Sequence, residues 1–154
     1  MARMRALDSK ADCDRIAERI AALTLGDRRR WGRMSVEQMV CHLSDSYLAA
    51  LGEKALSAAQ GPLPQRVMKW IALRLPLPWP HGVKTRPEVE QGLGGTPPVD
   101  FERDRASLLA VFRRFCGELA RFADTHPIFG PMSRRDWLRW GYLHADHHLR
   151  QFSR

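Results

Sequence analysis

Six histidines stand at positions 42, 81, 126, 144, 147 and 148, and three fall in one run, Tyr142-Leu143-His144-Ala145-Asp146-His147-His148-Leu149-Arg150-Gln151-Phe152. On an α-helix, which turns about 100° per residue, His144 and His148 are separated by about 40° and lie one turn apart, so both rings can approach one point. That is the spacing of a metal-ligand pair. A third imidazole, His42, flanks the apolar stripe of another predicted helix beside Met39 and Ser46, from where it can reach across a helical bundle. Three neutral histidines leave coordination positions open, which is the pattern of a reactive rather than a structural metal site.

The face of the last helix is also readable. Trp137, Trp140, Gly141 and Phe152 share it with His144 and His148, while Arg135, Asp136, Arg139, Asp146 and Arg150 take the opposite side. Burying a polar ring without a partner costs a few kcal/mol, and a metal ion satisfies two adjacent rings at once. An H-x-x-x-H pair also arises by chance, and many buried histidines simply bond a backbone carbonyl. Gly141 leaves room on this face for something other than a side chain. His147 lies about 60° from His144, at the edge of the stripe, and is a candidate base or a half-exposed ring bonded to a neighbouring helix. Gln38, one turn before His42, and Gln151, three residues after His148, are candidates for holding a ring or a water beside the ligands. His81 and His126 adjoin prolines and read as structural. Cys41 points away from His42 on the same helix and does not read as a nucleophile.

These residues need helices to place them, and helical periodicity dominates the chain. Asp8 or Ser9 caps a first helix with Ile16, Ile20, Ala21 and Leu23 at helical spacing, stopped by Gly26. Ser35-Val36-Glu37-Gln38 is a capping box, S-x-x-Q, opening a second helix that runs to Gly52. Between Gly61 and Pro98, prolines bracket a short helix over about 64–75 and then an irregular crossover. Asp100 caps a long helix with Phe101, Leu108, Leu109, Val111, Phe112, Phe115, Leu119 and Phe122 as core candidates, ended by His126-Pro127. Ser133-Arg134-Arg135-Asp136 opens a last helix that ends near Gln151. The expectation is an all-α four-helix bundle over residues 1–154, with the crossover between the second and third principal helices.

Composition excludes several alternatives. With 154 residues, 44% hydrophobic and 27% charged, the sequence is that of one ordinary globular domain. Cys13, Cys41 and Cys116 are odd in number and widely spaced, which suggests neither a disulfide framework nor a zinc knuckle. No apolar h-region follows the N-terminal charges, and Lys69, Arg74, Pro76 and Pro78 interrupt the most apolar stretch, so the expectation is a cytoplasmic chain without a membrane span. The net charge of +8 raises a second reading, a non-catalytic module that binds nucleic acid or an anionic surface. Only Arg28, Arg29, Arg30 and Arg33 form a local cluster, with Trp31 its single aromatic, and charge elsewhere is scattered without the repeated aromatics that base stacking uses, so nucleic acid is not the expected partner. Trp70, Ile71 and Trp79 offer apolar surface compatible with a homodimer.

The pattern Trp31-Gly32-x-Met34-Ser35-x-x-Gln38-Met39-x-x-His42-Leu43, followed by His144-x-x-His147-His148-x-x-Gln151, resembles the DinB superfamily, also called DinB/YfiT-like. Pro80-x-Gly82-Val83-x-Thr85-Arg86-Pro87 and His126-Pro127-x-Phe129-Gly130-x-Met132 look like a narrower branch of it, and the similarity spans residues 12 to 153. The resemblance implies an up-down-down-up four-helix bundle with a divalent metal (nickel, zinc or iron) on His42, His144 and His148. It also implies low-molecular-weight thiol chemistry, as in thiol S-transferases and a thiol-dependent maleylpyruvate isomerase. Where many relatives read H-H-R-G-Q, this chain reads His147-His148-Leu149-Arg150-Gln151, without the glycine. The functional expectation is a metal-dependent enzyme, a thiol-dependent S-transferase or a metal-activated hydrolase, acting on a small-molecule substrate under the Pro76 to Pro98 crossover.

Overall fold

Four side chains start the four long helices, each by accepting a backbone N–H that the helix itself leaves unpaired. In the computed structural model, which describes residues 4–154, Ser9 caps α1 (Lys10–Ala21) and Ser35 caps α2 (Val36–Ala50). The crossover carries the short α3 (Gln65–Arg74) and a single 3-10 turn, Pro87–Val89. Asp100 caps α4 (Phe101–Cys116) and Ser133 caps α5 (Arg134–Gln151). The capping boxes at Ser35/Gln38 and Ser133/Asp136 are both formed. Among the described residues, the extended structure is one small antiparallel hairpin, β1 (Thr125–His126) with β2 (Gly130–Pro131).

The result is an all-α bundle. α4 packs along α2 and α1, and α5 closes against α1, α2 and α3. Ile16, Ile20, Met39, Leu43, Tyr47, Leu108, Phe112, Phe115 and Leu149 are fully buried between them. The polar hydroxyl inside this core is satisfied: Tyr47 Oη donates to the Gly141 carbonyl at 2.8 Å. No helix among the described residues is long and apolar enough to cross a membrane.

Three details depart from the sequence expectation. α4 stops at Cys116, because the backbone turns extended at Gly117, so Leu119 is 94% exposed rather than part of the core. Phe122 still reaches the core from the following loop, 5.0 Å from the Phe115 ring, and Arg134 ties that loop down by donating to the Gly117 and Ala120 carbonyls. Asp136 and Arg139 are buried rather than solvent-facing, because α3 covers that side of α5. Asp136 meets Lys69 and Arg74 there, and Arg139 Nε donates to the Leu73 carbonyl at 3.1 Å.

The third is Gly141. A Cβ there would lie 2.5 Å from Phe115 Cε1 and 3.1 Å from Leu7 Cδ1, so the space it leaves is filled by neighbouring helix and chain, not by a ligand. Gly141→Ala is therefore expected to destabilise the fold by about 1–3 kcal/mol, the usual range for overpacking a core. Urea unfolding monitored by circular dichroism measures this.

Candidate metal centre

His42 projects from the middle of α2 and His144 and His148 from successive turns of α5, and one nitrogen from each lies within 4.8 Å of the other two. The ring centroids are 5.4 Å apart for His42 and His144, 4.8 Å for His42 and His148, and 4.8 Å for His144 and His148. The i, i+4 spacing on α5 thus brings its two rings to one point, and α2 supplies the third from across the bundle.

Hydrogen bonds fix which nitrogen each ring presents. His42 Nδ1 lies 2.9 Å from the Val89 carbonyl, an acceptor only, so Nδ1 carries the proton and Nε2 is the free lone pair. Gln151 does the same for His148. Its Nε2 donates to the Trp31 carbonyl at 2.7 Å, which places Oε1 as the acceptor 3.1 Å from His148 Nδ1. His144 Nε2 is buried with no hydrogen-bond partner among the described residues. An orphaned ring nitrogen beside two rings whose outer nitrogens are tied away is the arrangement a divalent ion completes. Burial pushes the pKa of all three rings down, and the proximity of His42 and His148 pushes His144 further in the same direction. All three are held neutral, the state that ligates metal.

The rings open onto a cavity of about 1340 Å³ beneath the crossover, whose walls include Trp31, Trp79, Trp140 and Phe129. Trp140 stacks on His144 with centroids 4.8 Å apart and fixes that ring from the side. Trp79, a candidate for exposed surface in the sequence, is turned inward instead: its indole donates to the Ala72 carbonyl at 3.0 Å and its ring lies 6.0 Å from His144. Trp70 and Ile71 stay exposed on α3, with Ile71 among the residues that line the cavity.

The remaining candidates separate. His147 lies outside the three-ring group, half-buried, with Trp31, His81 and Trp79 ring centroids 5.9, 5.8 and 6.4 Å away. Gln38 is not at the cluster: its side chain accepts from Ser35 N at 2.9 Å and is consumed by the cap of α2. His81, read as structural, stacks on Trp31 at 4.2 Å beside His147. Cys41 is buried, and desolvation together with Asp104 pushes its thiol up to about 12, so it is not a thiolate at neutral pH. Val89 contributes through its backbone carbonyl, which no side-chain pattern reveals. Asp45, also unmarked in the sequence, accepts from Thr96 N and Oγ1, both at 2.7 Å, and clamps the crossover that carries Val89.

His126 is structural. Its Nδ1 accepts from Ile128 N and Phe129 N at 3.1 and 3.3 Å, and burial lowers its pKa to about 4. Because the folded pKa lies below the unfolded value near 6.5, stability is greatest above about pH 6.5 and falls as pH drops towards 4, by up to about 1.4 kcal/mol per pH unit for one such group. His126→Asn keeps an acceptor that does not titrate in this range and is expected to flatten part of that slope, measured as urea midpoints between neutral and mildly acidic pH.

Three convergent, neutral imidazoles at the side of a cavity in a helical bundle form a group that could hold a divalent ion. The chain belongs to the DinB superfamily, whose family model matches residues 9–152. No curated protein and no solved structure matches it.

Proposed function

We propose that His42, His144 and His148 hold a divalent cation, nickel, zinc or iron, and that the chain is a metal-dependent enzyme for a small-molecule substrate, acting as a thiol-dependent transferase or a metal-activated hydrolase. The observation that carries this reading is the unpartnered His144 Nε2 between two rings oriented by outside acceptors. When bound, such an ion supplies positive charge that lowers the pKa of a thiol or water and stabilises developing negative charge.

The protein residues do the rest. Val89 and Gln151 lock the two outer tautomers, so no reorientation is needed when the site is used. Trp140 packs against His144 and Trp79 lies beside it, so the His144 ring is held in place by apolar neighbours. His147 stands at the edge of the cluster, its ring centroid 5.2 Å from that of His148. Burial and the nearby His81 lower its pKa, so it is neutral and able to accept a proton from a thiol or water.

Elemental analysis of chain purified without a metal-affinity tag, then turnover of epoxides or chloro-aromatics with bacillithiol, mycothiol or glutathione, tests both halves. Absence of any stoichiometric ion rejects the metal centre. An ion without thiol-dependent turnover rejects transfer and leaves hydrolysis.

A further inference from the structure

We infer that the cavity beside the three histidines takes a planar aromatic molecule bearing a carboxylate. The inference deepens the proposed function and rests on it for orientation, with the histidine cluster as the reactive end of the cavity.

Size is the first argument. About 1340 Å³ exceeds the roughly 300–1,000 Å³ typical of ligand pockets and is far more than a water or a small thiol alone occupies. Wall chemistry is the second. Trp79, half-buried at the cavity wall, spends its indole N–H on the Ala72 carbonyl at 3.0 Å, so what it offers a ligand is ring surface. Trp31 is backed by His81, stacked on it nearly parallel at an interplanar angle of 7°, and its carbonyl is anchored by Gln151. Rings held this firmly favour a flat partner, since stacking on a fixed aromatic needs little further ordering.

Charge is the third argument. Arg33 and Lys84 line the cavity as exposed side chains, and neither has a carboxylate partner among the described residues; Arg86 lines it too and donates to Ser57 Oγ, whereas Lys54 on the same wall is neutralised by Asp45 at 3.0 Å. Glu90 is the one acidic side chain in that lining among the described residues. The lining therefore carries net positive charge before any ion is added, and a cleft lined by one sign of charge concentrates ligands of the opposite sign.

The test is calorimetric titration of the full chain with naphthoate, naphthamide and laurate, each with the protein chelator-treated and again with added zinc. Naphthoate is expected to bind the chelator-treated chain at least about tenfold more tightly than either naphthamide or laurate, a difference well resolved by titration. The double variant Arg33→Gln, Lys84→Gln is expected to erase the preference for naphthoate over naphthamide while naphthamide affinity stays within about twofold. Equal affinity for naphthoate and naphthamide overturns the anionic part, and preference for laurate overturns the planar part. No naphthoate binding by a chain that takes up zinc stoichiometrically sinks this inference and leaves the metal reading intact. Naphthoate binding by a chain that takes up no ion does the reverse.

Discussion

His148→Ala is expected to weaken divalent-ion binding by more than about 100-fold, whereas His147→Ala leaves it within about threefold, because losing even an outer partner of a ligating histidine costs about 10–100-fold. The two residues are neighbours in sequence, so the contrast tests register rather than composition. His148 shares a nitrogen cluster with His42 and His144, while the His147 ring turns towards Trp31 and His81. Calorimetric titration with zinc and nickel, supported by elemental analysis, reads the difference directly. Should His147→Ala lose the ion and His148→Ala keep it, the ligand assignment on α5 is wrong. If His147→Ala binds metal normally but loses turnover, its role is proton transfer at the edge of the site.

Much of this was legible in the sequence because short-range rules govern it. Ser35 and Ser133 with their partners three residues on announce the starts of α2 and α5, and both caps form. The 40° offset of His144 and His148 follows from helix geometry alone, and the Met39 and Leu43 stripe gives the side of α2 from which His42 departs. What failed depended on contacts between distant segments. Nothing near Asp136 or Arg139 in sequence says that α3 will cover them, and the rule that charged residues face solvent then misplaces both. Leu119 kept the helical period of Phe115 and Phe122, but periodicity is blind to the backbone turn at Gly117 that ends α4. The role of Gly141 was misjudged for a related reason: a glycine signals close approach, but only the packed Phe115 ring shows what approaches. Gln38 is instructive in another way. The same S-x-x-Q pattern that starts α2 turns its Oε1 to Ser35 N, and the partner of His42 Nδ1 is the Val89 carbonyl instead.

Gln151→Leu is expected to lower divalent-ion affinity by about 10–100-fold, the range found for outer partners of metal-ligating histidines. It also leaves the Trp31 carbonyl without its donor, so a loss of about 1–3 kcal/mol in fold stability accompanies it. Gln151 is 3% exposed, and its amide touches both His148 Nδ1 and the Trp31 carbonyl. Its own backbone carbonyl accepts from Arg30 N at 2.7 Å, so the end of α5 and the loop carrying Trp31 are joined twice. Gly32 makes this approach feasible: its φ is +80°, and a Cβ there would collide with Gln151 Nε2. Gln151→Glu separates the two contributions. A carboxylate still accepts from His148 Nδ1 but cannot donate to Trp31, so this variant is expected to lose stability while retaining more of its ion affinity than Gln151→Leu. Titration calorimetry and urea unfolding on the same preparations distinguish these outcomes. Wild-type ion affinity in Gln151→Leu would show that the His148 tautomer is set without Gln151, and the chain of contacts from Trp31 to the cluster would then be structural alone.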